Sequence, residues 1–381
     1  MEAAGICACL TTYDARLMGP AATMLAESAL VAHLNAAARL AIRGHGGAEP
    51  NPLVGCIVLD LRGKVAGWGL HSRCGGAHAE VEALRAAGSN ARGGTAVVTL
   101  EPCNHFGRTG PCTMALRAAG IARVVFGVSD PHPKAQGGAA ALREAGIAVT
   151  QLATPQCRAL AAPFLHRTDT GLPWVVAKWA QTIDGRIDRF AAASRWISSA
   201  RSRALVHRER GRVDAIFTGI GTVLADDPRL TARAISRRRR PIRVVWDPEL
   251  AMPPEAAMLS SIGEAPVMLA CNASAAGRAG PLVARGATII ECARGGEGLR
   301  QLMSSLSARH GVATVLVEAG QGLTSRLLEA DLLNEAWVFT APIEGRDCPA
   351  AQQRWAPALP SPFHLVDQRL RGGDTVSRYR R

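Results

Sequence analysis

His78 and Glu80, followed by Cys103 and Cys112, are the residues of this 381-residue chain whose types and order point to chemistry. One imidazole and two thiolates can give a zinc ion three protein ligands. The fourth tetrahedral position then stays open to water, which is the coordination of a catalytic zinc and not of a structural one. Zinc lowers the pKa of such a water toward neutrality. Glu80 stands two residues after the histidine, placed to shuttle a proton without binding the metal.

Local elements must bring these side chains together. His78-Ala79-Glu80 opens a helix expected over Ala79 to Ala87, and Thr95 to Leu100 reads as a strand. Glu101-Pro102-Cys103 ends that strand and leads toward a second helix from Cys112. Both helix starts would turn N–H groups and positive dipole ends toward the metal, favouring thiolate and hydroxide. Alone, either half is weak, because free cysteines are often buried as small apolar residues. Together they form the set that zinc deaminases of nucleobases require: a His/Cys/Cys metal, an activated water and a non-ligand glutamate as general acid/base.

The flanking sequence supplies a framework. A helix is expected over Leu34 to Arg43, then strands Val54 to Leu59 and Val65 to Leu70. After the site come the strand Val124 to Val128, the turn Asp130-Pro131-His132-Pro133, the helix Ala139 to Ala145 and the strand Ile147 to Leu152. This alternation predicts a three-layer α/β/α sheet. Asn51 can hydrogen-bond a base edge or form an Asx-type turn before Pro52. His71 is either a surface histidine or a pocket residue. In the eight-residue loop between the cysteines, His105 and Arg108 can reach a ligand. Arg108 is either a bidentate phosphate fork or a solvated loop arginine.

From Leu172 the pattern restarts. Strands are expected at Trp174 to Trp179, Ala215 to Thr218, Ile242 to Trp246, Val267 to Cys271, Thr288 to Glu291, Val315 to Glu318 and Ala336 to Thr340. Helical stretches separate most of them, describing a second open α/β sheet with ligands beyond its strand ends. Phe363 to Val366 and Thr375 to Tyr379 read as closing strands. Glu318-Ala319-Gly320-Gln321-Gly322 is a glycine-rich strand-to-helix turn, a natural phosphate cradle, although turn glycines are common. Lys178 on an apolar strand needs an anionic or polar partner.

Hydrophobic residues make up 48% of the chain and aromatics only 4%, so alanine and aliphatic side chains must fill the cores. The formal charge of +13 favours anionic ligands. Arg237 to Arg240, the longest basic run, has no interleaved aromatics and reads as a solvated loop, not a nucleic-acid patch. Ten cysteines in no regular framework point to a reducing compartment, hence the cytoplasm. No apolar run approaches the ~20 residues that span a bilayer, and the N-terminus lacks a signal-peptide pattern. The stretch Ala21 to Leu34 is compatible with a helix of no assigned role. Cys7 and Cys9 are a metal pair or part of a loose extension.

Pro50-Asn51-Pro52-Leu53-Val54-Gly55, His71, His78-Ala79-Glu80 and Glu101-Pro102-Cys103-Asn104-His105-Phe106-Gly107-Arg108-Thr109-Gly110-Pro111-Cys112 resemble the deaminase half of the bifunctional riboflavin biosynthesis proteins. The eight-residue cysteine spacing separates this branch from cytidine and tRNA deaminases with their P-C-x-x-C. Pro163-Phe164-Leu165-His166-Arg167 is similar to the family's link into its second half. Lys178 to Gly185, Asp214 to Arg233 and Glu318 to Ser325 resemble its reductase half, which is similar in fold to dihydrofolate reductase.

The resemblance implies a cytidine-deaminase-like domain followed by a dihydrofolate-reductase-like domain. The divisions are an extension over 1–33, a deaminase over 34–153, a linker over 154–171 and a reductase over 172–381. It implies zinc on His78, Cys103 and Cys112, Glu80 as proton carrier, and substrate contacts from Asn51, His71, His105 and Arg108. It implies NADPH at Ala180, Trp196, Thr222, Asp226, Pro248, Gly320, Gln321, Gly322, Leu323, Thr324, Ser325 and Arg326. Lys178, Ser194, Arg210, Leu230, Arg233 and Glu318 would hold the second substrate. By residue pattern alone, Arg210 and Arg233 are equally compatible with a solvated face.

The implied reactions are hydrolytic deamination of a phosphoribosylaminopyrimidine and reduction of its ribosyl side chain to ribityl. A homodimer or homotetramer without nucleic acid or membrane partners is expected. The rival reading is a nucleoside or tRNA deaminase with a non-catalytic or RNA-binding C-terminal domain. Departures from the family pattern are Asn104, Phe106, Gly110, Gly137-Gly138, Phe190-Ala-Ala-Ala193, Gln321 and Asn334.

Overall fold

The computed structural model describes residues 25–107, 109–132, 137–187, 196–233, 239–345 and 354–381. Cys7, Cys9, Arg108, Ser194 and the 190–193 segment lie outside these residues. The first sheet has the order β2-β1-β3-β4-β5. Its strands are β1 (Gly55–Leu59), β2 (Val65–Leu70), β3 (Thr95–Leu100), β4 (Arg123–Val128) and β5 (Ala148–Gln151). The β1 pairings are antiparallel, whereas β3, β4 and β5 run parallel.

Strand alternation sends side chains to two helical layers. Cys56 and Val58 face a cluster with Ala79, Ala83, Leu116 and Leu142. Those residues come from α2 (Ala79–Ala87), α3 (Cys112–Ala118) and α4 (Gly138–Glu144). Ile57, Leu59 and Val97 face the other cluster, with α1 (Glu27–Ala41) and Cys157 of α5 (Pro155–Thr170). The expected three layers are present. Small residues permit close layering: a Cβ on Gly69 would lie 2.3 Å from the Ala79 carbonyl of α2. The alanine-rich core compensates for the few aromatics.

Two boundaries are corrected. The helix expected from Leu34 begins at Glu27 and absorbs the described part of the stretch Ala21 to Leu34. Leu30 is 2% exposed and shares an i, i+4 stripe with Leu34. The start was hidden because Ala26, the N-cap, offers no side-chain hydrogen bond. In addition, the linker expected over 154–171 is one helix over Pro155–Thr170. Thr154 Oγ1 accepts from the Cys157 N–H at 3.2 Å, Pro155 occupies the first turn, and Gly171 closes the helix at φ +72°.

The second sheet has the order β10-β9-β8-β7-β11-β6-β12-β14-β13. Its strands are β6 (Trp174–Thr182), β7 (Ala215–Gly219), β8 (Ile242–Trp246), β9 (Val267–Cys271), β10 (Thr288–Glu291), β11 (Thr314–Val317), β12 (Glu335–Ala341), β13 (His364–Arg371) and β14 (Asp374–Arg380). All pairings from β10 to β12 are parallel, and the closing β14 and β13 are antiparallel. Helices α10 (Gly295–His310) and α11 (Gln321–Glu329) supply Leu299, Leu302, Leu306, Leu323 and Leu327 to one face. The opposite face takes α7 (Ile220–Asp226), α8 (Ala257–Ser260) and α9 (Gly280–Ala284). Val206 of α6 (Ala200–Arg210) packs on Trp337, Phe339 and Val376. Asn334, a departure from the family pattern, accepts from the Val175 N–H through its Oδ1 at 2.7 Å.

The expected solvated loop around Arg237 to Arg240 is also corrected. Arg237 and Arg238 lie outside the described residues, but Arg239 is a bridge between the two sheets' units. It donates to the Gly46 carbonyl at 2.9 Å, to the Glu49 carbonyl and to Asp214. Three acceptors from two units converge there, which nothing in the local pattern of four arginines signals. Among the described residues, no helix is long and apolar enough to cross a membrane.

Candidate active sites

His78 is the N-cap of α2, with extended backbone, and its side chain makes no capping hydrogen bond. Its Nδ1 lies 3.2 Å from Cys112 Sγ and 3.5 Å from Cys103 Sγ, and all three donor atoms lie within 4.8 Å of one another. Two ligands at zinc bond lengths and a tetrahedral angle would stand about 3.6 Å apart, so the donor set fits that ion. The Cys112 N–H also points at Cys103 Sγ, at 3.5 Å. The Cys112 thiol hydrogen-bonds Cys103; that bond and the His78 imidazole overcome burial and draw Cys103 down to about 4.

Glu80 is 3% exposed in the first turn of α2. Burial, reinforced by the Cys103 thiolate, pushes its carboxyl up to about 7. His71 is held neutral: burial lowers its pKa, Nδ1–H donates to the Ala77 carbonyl at 3.0 Å, and Nε2 accepts from Asn51 Nδ2 at 3.1 Å. Its ring meets His78 edge-on at 5.2 Å. Thus Asn51, His71, His78, Glu80, Cys103 and His105 line one cavity of about 740 Å³.

The second-cysteine loop is braced in ways its sequence did not announce. Asn104 Oδ1 accepts from Thr113 Oγ1 at 2.8 Å, so this departure from the family pattern ties the loop to α3. Glu101 accepts from the Ala139 N–H at 2.9 Å and from the Asp130 N–H at 3.3 Å. A Cβ on Gly138 would sit 1.8 Å from the Pro102 carbonyl. Glu101 and Gly138 therefore position Cys103 without touching it. The cavity also takes Asp130 and His132 from the turn after β4, then Phe164, Arg167 and Thr168 from α5, and Ser307 and Ala308 from α10. Sequence reading treated the first pair as a plain turn and gave the others no site role.

In the second unit, parallel β8, β7, β11 and β6 end on the same edge of the sheet. That edge gathers Pro248 after β8, Thr222 and Asp226 on α7 after β7, Gly320 after β11 and Ala180 in the last half of β6. Thr222 and Asp226 are four apart on α7 and share a face. Gly320 is the extended N-cap of α11, and no side chain caps it. A Cβ on Gly320 or Gly322 would meet nothing within 4 Å, so unanswered helix N–H groups face open space. This suits the phosphates of a dinucleotide. Gln321, Ser325 and Arg326 lie in the same helix. Leu323 and Thr324 point into the core, and Thr324 Oγ1 donates to the Gly320 carbonyl at 3.1 Å, leaving only their backbone for a ligand.

Glu318 receives Arg210 in a two-pronged contact, Nε to Oε1 at 2.5 Å and Nη2 to Oε2 at 2.9 Å. Arg210 Nη1 reaches the Thr231 carbonyl at 3.3 Å, on the loop that carries buried Leu230 and exposed Arg233. Burial opposes ionisation of Glu318, but Arg210 and then Lys178 hold it below the usual carboxylate range. Burial lowers the Lys178 pKa against the pull of Glu318, and its Nζ lies 5.4 Å from the Phe339 ring centroid. Trp196 stacks under the Arg203 guanidinium at 5.0 Å.

Comparison with known proteins accounts for both units. Residues 28–128 match the cytidine and deoxycytidylate deaminase zinc-binding region, and residues 173–344 match the RibD C-terminal domain. The chain is 36% identical to the riboflavin biosynthesis protein RibD of Aquifex aeolicus, over 81% of this chain and 86% of that one. A solved RibD of Acinetobacter baumannii superposes with a TM-score of 0.76 at 32% identity, covering 93% of this chain and 99% of the other. A diaminohydroxyphosphoribosylaminopyrimidine deaminase/5-amino-6-(5-phosphoribosylamino)uracil reductase of Thermotoga maritima gives a TM-score of 0.76 at 28% identity, with the same two coverages.

Proposed function

This chain belongs to the family of bifunctional RibD riboflavin biosynthesis proteins, and we propose how its own residues divide the two reactions. It is a zinc-dependent deaminase joined to an NADPH-dependent reductase. The first unit takes diaminohydroxyphosphoribosylaminopyrimidine and the second takes 5-amino-6-(5-phosphoribosylamino)uracil. The observation that carries the residue roles is the convergence of His78, Cys103 and Cys112 beside buried Glu80.

His78, Cys103 and Cys112 would hold the zinc, which supplies Lewis acidity and a hydrolytic nucleophile near neutral pH. Glu80 moves the proton from that nucleophile to the departing ammonia. Asn51, its amide nitrogen pinned by neutral His71, orients the pyrimidine edge. By the family resemblance, His105 and Arg108 would bind the sugar phosphate.

In the second unit, NADPH supplies the hydride. Ala180, Trp196, Thr222, Asp226, Pro248 and the Gly320–Arg326 turn would seat it. Arg210 fixes Glu318 and the Leu230 loop; Lys178, Ser194, Arg233 and Glu318 then hold the sugar against the nicotinamide. We divide the chain near residues 154–171, with the first unit starting at α1. A cytoplasmic location agrees with free thiols at all seven described cysteines; we propose a homo-oligomer without a nucleic-acid partner. One experiment tests the whole reading: the zinc-loaded chain is given the diamino substrate, and ammonia and NADPH are followed separately. Ammonia release followed by NADPH oxidation is expected; ammonia without any NADPH oxidation would remove the reductase assignment.

A further inference from the structure

The cavity above His78 and Glu80 is not closed by the first unit alone. One wall comes from α5, through Phe164, Arg167 and Thr168, and its far edge from Ser307 and Ala308 of α10. Phe164, Arg167 and Thr168 are spaced i, i+3, i+4 and so share one face of α5. His166 turns elsewhere, edge-on to Trp174 at 5.7 Å. At about 740 Å³ the cavity has the size that holds a whole nucleotide-like molecule, well beyond a bare pyrimidine.

Arg167 is half-buried in this wall, and its guanidinium has no hydrogen bond, ion pair or ring contact among the described residues. Arg210 on Glu318, Arg239 on Asp214 and Arg380 on Glu335 show the alternative, a half-buried arginine held by an acid. The cavity's acids do not answer Arg167 either. Glu101 is occupied by the Asp130 and Ala139 N–H groups, and Asp130 by the His132 N–H at 2.9 Å. A guanidinium that lines the cavity with five donors, no acceptor and no partner among the described residues is a receptor for a planar or tetrahedral oxyanion.

We infer that Arg167 is a specificity-determining residue of the deaminase, binding the phosphate of its phosphoribosyl substrate from the α5 wall of the cavity. This rests on the deaminase reading above. α5 packs on α1 and β4 and continues through Gly171 into β6. The phosphate receptor is therefore fixed by the joint between the units, and the deaminase pocket is complete only in the fused chain.

The test measures ammonia release by wild type, Arg167→Ala and Arg167→Lys, on the phosphorylated diamino substrate and on its phosphatase-treated nucleoside. A lost charge-assisted bond predicts a KM for the phosphorylated compound raised about 10- to 100-fold in Arg167→Ala, with kcat nearly unchanged. Partial recovery is expected in Arg167→Lys. The nucleoside should react equally in all three, and NADPH oxidation on supplied deaminated intermediate should be unaffected. Equal losses on both compounds, or no loss on either, overturn the proposal while the wild type remains active. If the wild type releases no ammonia from either compound, the deaminase reading itself falls and takes this proposal with it.

Discussion

His45 Nε2 lies 2.9 Å from Glu209 Oε1, while its Nδ1 lies 2.5 Å from Glu49 Oε1. One imidazole thus joins the loop just before Asn51 to the helix that carries Arg210. Burial disfavours its charge, yet Glu209 and Glu49 outweigh that and push His45 up to about 10. The folded value lies above the ordinary 6.5, so the contact's stabilisation is complete below that pH and fades as pH rises through 10. Glu209→Gln should therefore lower stability most near pH 6, by about 1.5–3 kcal/mol, and the gap should close toward pH 10. Melting curves of both proteins across this range check it; a gap that widens with pH would contradict the charged-histidine assignment.

Glu80→Gln removes the proposed proton carrier but keeps its shape. Ammonia release should fall by at least about 100-fold, the usual scale of general acid–base catalysis. Zinc content and hydride transfer to supplied deaminated intermediate should persist. Elemental analysis beside the two assays distinguishes this from loss of the site, and deamination at the wild-type rate would exclude Glu80 as the carrier.

Gly138→Ala places a methyl 1.8 Å from the Pro102 carbonyl. Either α4 or the Cys103 segment must shift. The expected result is weaker zinc retention during chelator titration, with reductase activity intact. Unchanged retention would show that α4 yields and the cysteine loop does not.

Arg210→Ala leaves Glu318 buried without its partner; their side chains are 12% and 11% exposed. Breaking such a pair costs about 3 kcal/mol or more. NADPH oxidation should collapse, and Glu318→Gln should also destabilise, because it leaves the buried Arg210 guanidinium without its carboxylate. Denaturant unfolding of the two variants checks this; a loss well below that in both would argue against the buried pair.

The chemistry-bearing elements were legible because their signals are local. The helix over Ala79–Ala87, the strand over Thr95–Leu100 and the helix start at Cys112 stand where periodicity and punctuation put them. The same holds for β8, β9 and β10. The start of α1 was not legible, because an alanine N-cap carries no mark and the Leu30 stripe continues one already begun. Gly138 read as a worn loop motif, since its need for no side chain comes from a carbonyl 36 residues away in sequence.

The sequence by itself determined which atoms can hold zinc, which carboxylate stands beside them, and that two α/β units follow one another. These depend on residue type, spacing and period, all short-range properties. Only the tertiary structure decided that Arg210 is engaged by Glu318, that Arg239 and His45 fasten the units, and that Arg167 enters the first unit's cavity. Each of those outcomes turns on where helices remote in sequence come to rest, and an arginine carries the same charge whether it meets water, a carboxylate or a waiting phosphate.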